Sequence, residues 1–100
     1  MNEPTRAAFE RLLKVARSDT GQAHRVADFI FAWWNAESLG RFDLADLFAV
    51  DLAISQDMAT VFSYMASRSV AEYPDLYRGE IEQLIAQWRP EIWARSKEVA

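Results

Sequence analysis

Four aspartates stand close together in the middle of the chain: Asp43, Asp46, Asp51 and Asp57. Carboxylates grouped in this way are the raw material of a Mg²⁺ or Ca²⁺ site or of an acid–base pair. Their spacings of 3, 5 and 6 residues fit no calcium loop, and the pattern D-x-[DN]-x-[DN]-G is absent. Aspartate also caps helices, because its side chain accepts from the free amide groups of a first turn and its charge meets the positive end of the helix dipole. Asp43 is placed to cap a short helical turn, and Asp51 the long helix after it. Asp46 and Asp57 are left for a solvated face or a partner. His24 is the only histidine, and Asp28 follows it by one helical turn. It falls on the polar arc of its helix, which reads as a solvated side chain rather than a general base. No glycine-rich phosphate loop, G-x-S-x-G elbow, H-E-x-x-H or dinucleotide fingerprint occurs. The residues predict no catalytic centre, no metal and no cofactor.

Charge and composition point the same way. Residues 1–25 carry five bases and three acids, whereas residues 26–57 carry six acids against Arg41 alone. Such a field repels phosphate backbones and favours a basic partner protein, so direct nucleic-acid binding is not expected. Cysteine is absent, which excludes a disulfide framework and thiolate metal sites. The start "MNEPTRAAFERLLKV" has no apolar run after a basic stretch, and nothing approaches the roughly 18 apolar residues of a membrane span. A cytoplasmic protein is the plain expectation. One hundred residues, 51% of them hydrophobic, make one domain spanning 1–100.

The elements that hold these residues read as helices throughout, since glycines, prolines and β-branched runs are few. The first helix starts near Pro4 and carries the stripe Phe9, Leu12, Leu13 and Ala16, with Arg11, Lys14 and Arg17 outside. After "RSDTGQ", Asp19 and Gln22 are spaced as a capping box that opens a second helix running to about Ser38. Ala23, Val26, Ala27, Phe29, Ile30, Trp33 and Trp34 share a very wide arc of it, with Phe31 at the margin. An arc that wide makes this the expected central helix, enclosed on several sides, with both tryptophans in the core. Leu39-Gly40 is a stop. A third helix spans roughly 51–69, with the stripe Ile54, Met58, Val61, Phe62, Met65 and Ala66. A fourth runs from Pro74 or Asp75 to Trp88, and Pro90 opens a short fifth carrying Ile92 and Trp93. The fold class is all-α: a compact bundle of four to five helices with short loops. Phe31 and Phe48 are the aromatics least well placed for the core, and either suits an exposed anchor.

Other uses of these helices are weaker. The outer face of the first helix, with Arg25, offers a small basic patch for nucleic acid. A helix-turn-helix fits poorly, because the second helix is mostly apolar where a recognition helix needs basic and amide groups. Ile92, Trp93 and the fourth helix form a possible seam for self-association, and the oligomeric state stays open.

Residues 25–62, "RVADFIFAWWNAESLGRFDLADLFAVDLAISQDMATVF", resemble small all-helical proteins of proteobacterial mobile elements and prophages. The shared form is VA-F--AWWNA---G-FDLADL---D--I--DM-TVF. Within that neighbourhood the length and acidity are similar to those of the type I-F anti-CRISPR proteins. What the resemblance implies is a non-enzymatic inhibitor in the bacterial host cytoplasm. It would bind the RNA-guided surveillance complex and block its binding of target DNA. The matching residues are packing and capping positions, so they carry over no functional residue. A surveillance complex exposes Lys/Arg-rich channels, which an acidic helical protein can occupy. On that footing Asp43, Asp46 and Asp57 are expected to pair with those cations, with Phe48 as an exposed anchor.

Overall fold

The computed structural model describes residues 1–99. Helix α1 (Glu3–Ala16) begins where Asn2 accepts the Thr5 N–H on its side-chain oxygen at 3.0 Å. Pro4 falls in the first turn, where its missing N–H leaves nothing unpaired. The inner stripe is as expected: Phe9, Leu12, Leu13 and Ala16 are buried, together with Ala8.

Helix α2 (Ala23–Leu39) starts differently from expectation. No capping box forms from Asp19, and Gln22 itself occupies the N-cap without a side-chain bond to the helix. The Gln22 amide reaches Asp51 instead. Its Oε1 accepts the Asp51 backbone N–H, and its Nε2 donates to Asp51 Oδ2 at 3.1 Å. The same pairing takes the Asp51 carboxylate away from its own helix, so α3 (Leu52–Ala66) has no side-chain cap. The two side chains cross-link the starts of α2 and α3 rather than serving each helix alone.

α2 is kinked at Asn35 (φ −168°, ψ 80°) and stops at Gly40, whose φ of +108° strains any residue bearing a Cβ. The 3₁₀ turn Leu44–Ala49 follows, with Asp43 accepting from the Ala45 N–H at 2.9 Å as its sequence position suggested. A second 3₁₀ turn, Asp75–Tyr77, leads into α4 (Arg78–Trp88), and α5 (Pro90–Val99) completes the chain. Among the described residues there is no strand, and the fold is all-α. No helix among them is long and apolar enough to cross a membrane.

The hub of the packing is α1 rather than α2. α1 lies against α2, α3 and α4, whereas α3 packs chiefly on α1. Val26, Ala27, Ile30 and Phe31 of α2 meet Met58 and Val61 of α3 and Ile81 and Leu84 of α4 in one apolar cluster. Phe31 is therefore not an exposed anchor: it is 0% exposed. The reason lies far along the chain, where the Arg89 guanidinium sits 5.1 Å from its ring centroid. Arg89 also donates to the Leu39 carbonyl at 2.9 Å and to Asp28 at 2.8 Å, closing α4 over that flank of α2. Trp33 and Trp34 are half-buried at the edge of the core rather than inside it. An indole N–H needs an acceptor, and Trp33 finds one at the surface in the Glu72 carbonyl, 2.9 Å away.

Candidate functional site: an uncovered apolar groove

Helix α3 presents two apolar faces, and only one is covered. Met58 and Val61 point inward and are buried. Phe62, expected in the same stripe, is 58% exposed. A step of about 100° separates adjacent helical side chains, so a helix that turns Val61 toward α1 turns Phe62 away from it. α3 packs chiefly on α1, and Phe62 looks into a groove with Leu52, Ser55, Gln56, Ala59 and Ser63.

Three further stretches of chain build the groove with α3. Phe29, Ala32 and Trp33 of α2 form its floor with Met58 and Met65. The 3₁₀ turn supplies one wall through Leu44, Leu47 and Phe48, backed by Phe42, whose ring meets Phe29 edge-on at 5.3 Å. The connector between α3 and the second 3₁₀ turn supplies the other through Arg68, Val70 and Tyr73. The groove has a volume of about 1140 Å³. Leu44, Phe48, Leu52, Phe62, Val70 and Tyr73 are all more than half exposed, with Phe48 at 93% and Leu52 at 72%. Large apolar side chains scattered singly need no explanation, but six converging on one concavity do.

Glu72 pins the connector wall. Its carboxylate accepts from the Tyr64 hydroxyl at 2.8 and 3.0 Å and from the Met1 amino group at 3.1 Å, and Arg68 approaches at 3.4 Å. The Tyr64 bond, followed by the amino group, holds the Glu72 carboxyl below its ordinary value, and the same bond raises Tyr64.

The carboxylates singled out in the sequence divide into two pairs. Asp57 accepts from Nε and Nη2 of Arg11, each at 2.9 Å, tying α3 to α1. Asp46 lies 3.4 Å from Arg25. Asp43 and Asp51 are exposed and have no cationic partner among the described residues. Phe48 stands on the groove wall. The three candidate carboxylates, Asp43, Asp46 and Asp57, thus do not converge, whereas Phe48 meets Leu44, Leu52, Phe62, Val70 and Tyr73 at the groove.

The competing surfaces are altered by the same contacts. Arg11 and Arg25, two cations of the basic patch, already hold Asp57 and Asp46, and Arg25 also donates to the Gly21 carbonyl at 3.0 Å. His24 is exposed, 6.4 Å from the Trp88 ring. Ile92 and Trp93 are half-buried against the core, and Lys97 caps the Trp93 ring at 4.6 Å. Among the described residues no three His, Cys, Asp or Glu side chains gather to hold a metal ion. What the groove offers chemically is shape and a place to desolvate apolar side chains.

An all-α domain with one open, apolar helix face is the class this geometry defines. Residues 6–89 match a family of unknown function, DUF7673, and the chain belongs to it. The matched span contains every residue that lines the groove. No curated protein and no solved structure matches the chain.

Proposed function

We propose that this chain is a non-enzymatic binding protein that seats a partner protein in the α3 groove. We propose further that the partner belongs to the type I-F RNA-guided surveillance complex, whose binding of target DNA is thereby blocked. The observation that supports the binding role is the groove itself, where six large apolar side chains converge uncovered around a cavity of about 1140 Å³. Apolar faces of that kind mark surfaces that another protein covers, and a mostly exposed aromatic such as Phe48 is a suitable anchor. The choice of partner rests on the resemblance of residues 25–62.

This arrangement moves the contact from charge to apolar surface. Asp46 and Asp57 hold cations of their own chain, so pairing with a partner falls to the exposed Asp43 and Asp51, which adjoin the groove-lining Leu44 and Leu52 in sequence. Cationic channels of a surveillance complex still suit those carboxylates.

The experiment is target-DNA binding by a purified type I-F surveillance complex, with no addition, with the protein, and with a Leu52→Glu/Phe62→Glu variant. DNA binding lost with the protein and restored with the variant is the expected result. Loss with both proteins would place the contact elsewhere on the molecule. Co-elution without loss of DNA binding would move the block to nuclease recruitment. No association would remove this complex as the target and leave the groove with another partner.

A further inference from the structure

We infer that the occupant of the groove is one amphipathic α-helix of the partner, carrying Lys or Arg near the end that lies over the Leu44–Ala49 turn. This rests on the groove being a protein-binding site and goes on to name what fills it.

One face of α3 lines the groove along its length. Leu52, Gln56, Ala59 and Phe62 recur along α3 at i, i+4, i+7 and i+10, between large ends and a small middle. Side-chain rows of that spacing receive the rows of a second helix, as the opposite face of α3 already receives α1. α3 has 15 residues, about 22 Å of rise, so three to four turns of a partner helix span it. A partner β-strand would need a strand edge to join, and the described residues contain no strand.

Charge selects which helix. At one end of the groove stand Leu44 and Leu52, and the residues that precede them, Asp43 and Asp51, are exposed carboxylates without a cationic partner among the described residues. At the other end Glu72 meets both Arg68 and the Met1 amino group. One end is acidic and the other is not, which suits an apolar helix with a basic terminus. A second copy of this chain would bring a net charge of −4 to the same acidic end, which opposes self-docking.

The test is a selection that presupposes no partner. Random 16-residue peptides are displayed and panned on the full chain, and the enriched peptides are synthesised. Each is titrated against the protein, against Phe62→Asp, and against Asp43→Asn/Asp51→Asn, since asparagine at position 43 keeps a capping oxygen and loses the charge. Circular dichroism of the free variants confirms that each is folded. The expected peptides carry apolar residues at i, i+3 or i+4, and i+7 with Lys or Arg at one end, and they gain helical signal on binding. Phe62→Asp is expected to weaken them about tenfold or more, and the double Asn variant several-fold with a flatter salt dependence.

Enriched peptides that need Phe62 but alternate with period two, are proline-rich or lack basic residues would overturn the helix while leaving the groove as the binding site. Absence of any Phe62-dependent peptide would overturn both. A concentration-dependent dimer abolished by Phe62→Asp would give the groove to a second copy and overturn the partner helix. The surveillance complex takes no part in the panning, so a failure of that target leaves these outcomes distinct.

Discussion

Phe31 and Arg89 show how the burial of one side chain is decided by another far along the chain. Arg89 covers the ring, holds Asp28 and takes the carbonyl that ends α2. Phe31→Ala removes a fully buried aromatic and is expected to cost about 3–5 kcal/mol, read from the urea midpoint. Gly40 is as specific in its backbone. At φ +108° a Cβ is strained, so Gly40→Ala is expected to cost about 1–3 kcal/mol, even though an added Cβ would meet nothing nearer than Arg89 at 3.7 Å. Tyr77 carries a pH signature. Burial, and then its bond to Glu10 at 2.7 Å, push the phenol from 10.0 up to about 12. A group whose folded value is raised contributes stability that is complete below its unfolded value and lost as pH rises through its folded value. The stability of the protein is therefore expected to fall between pH 10 and about 12, less steeply in Tyr77→Phe, as alkaline titrations of Tm would show.

Among the elements, the connector after α3 depends most on a single group. Glu72 is held below its ordinary value of 4.5 by the Tyr64 hydroxyl and the Met1 amino group. A depressed carboxylate contributes stability present above its unfolded value and lost as pH falls through its folded value. The Tm difference between the protein and Glu72→Gln is thus expected to shrink as pH drops below 4.5, with the connector wall loosening first. How far these elements were legible varies with the range of the interaction that fixes them. The stripe of α1, the stop at Gly40 and the cap at Asp43 depend on residues within one turn, and periodicity and residue type reveal them. Gln22 with Asp51 and Arg11 with Asp57 join positions 29 and 46 residues apart, and no local pattern announces them. Asp19 was misread for that reason: the Gln22 that would complete its box bonds across the fold instead.

At the scale of the molecule, periodicity marks the apolar side chains of the groove but not the fact that part of them stays uncovered. The wide apolar arc of α2 implied enclosure by other helices, and Val26, Ala27, Phe29, Ile30 and Phe31 are buried, whereas Ala32 and Trp33 are half-buried beside the groove. Periodicity reports which side chains are apolar, whereas burial depends on whether a neighbour exists. Leu52→Lys combined with Phe62→Ser is expected to leave stability within about 0.5 kcal/mol, because both side chains are already largely in water. The same change is expected to abolish partner binding, measured by co-elution.

The one-sided packing of α3 has a consequence for how long the protein survives. A helix docked chiefly on a single neighbour opens more readily than the hub it leans on, so amide exchange should be fastest there and slowest in α1. Proteases act on such openings, and a ligand that closes the groove suppresses them in proportion to its concentration over its Kd. Copies that find their target would then persist while unoccupied copies are cleared, and the abundance of the protein in a cell would follow the abundance of what it binds.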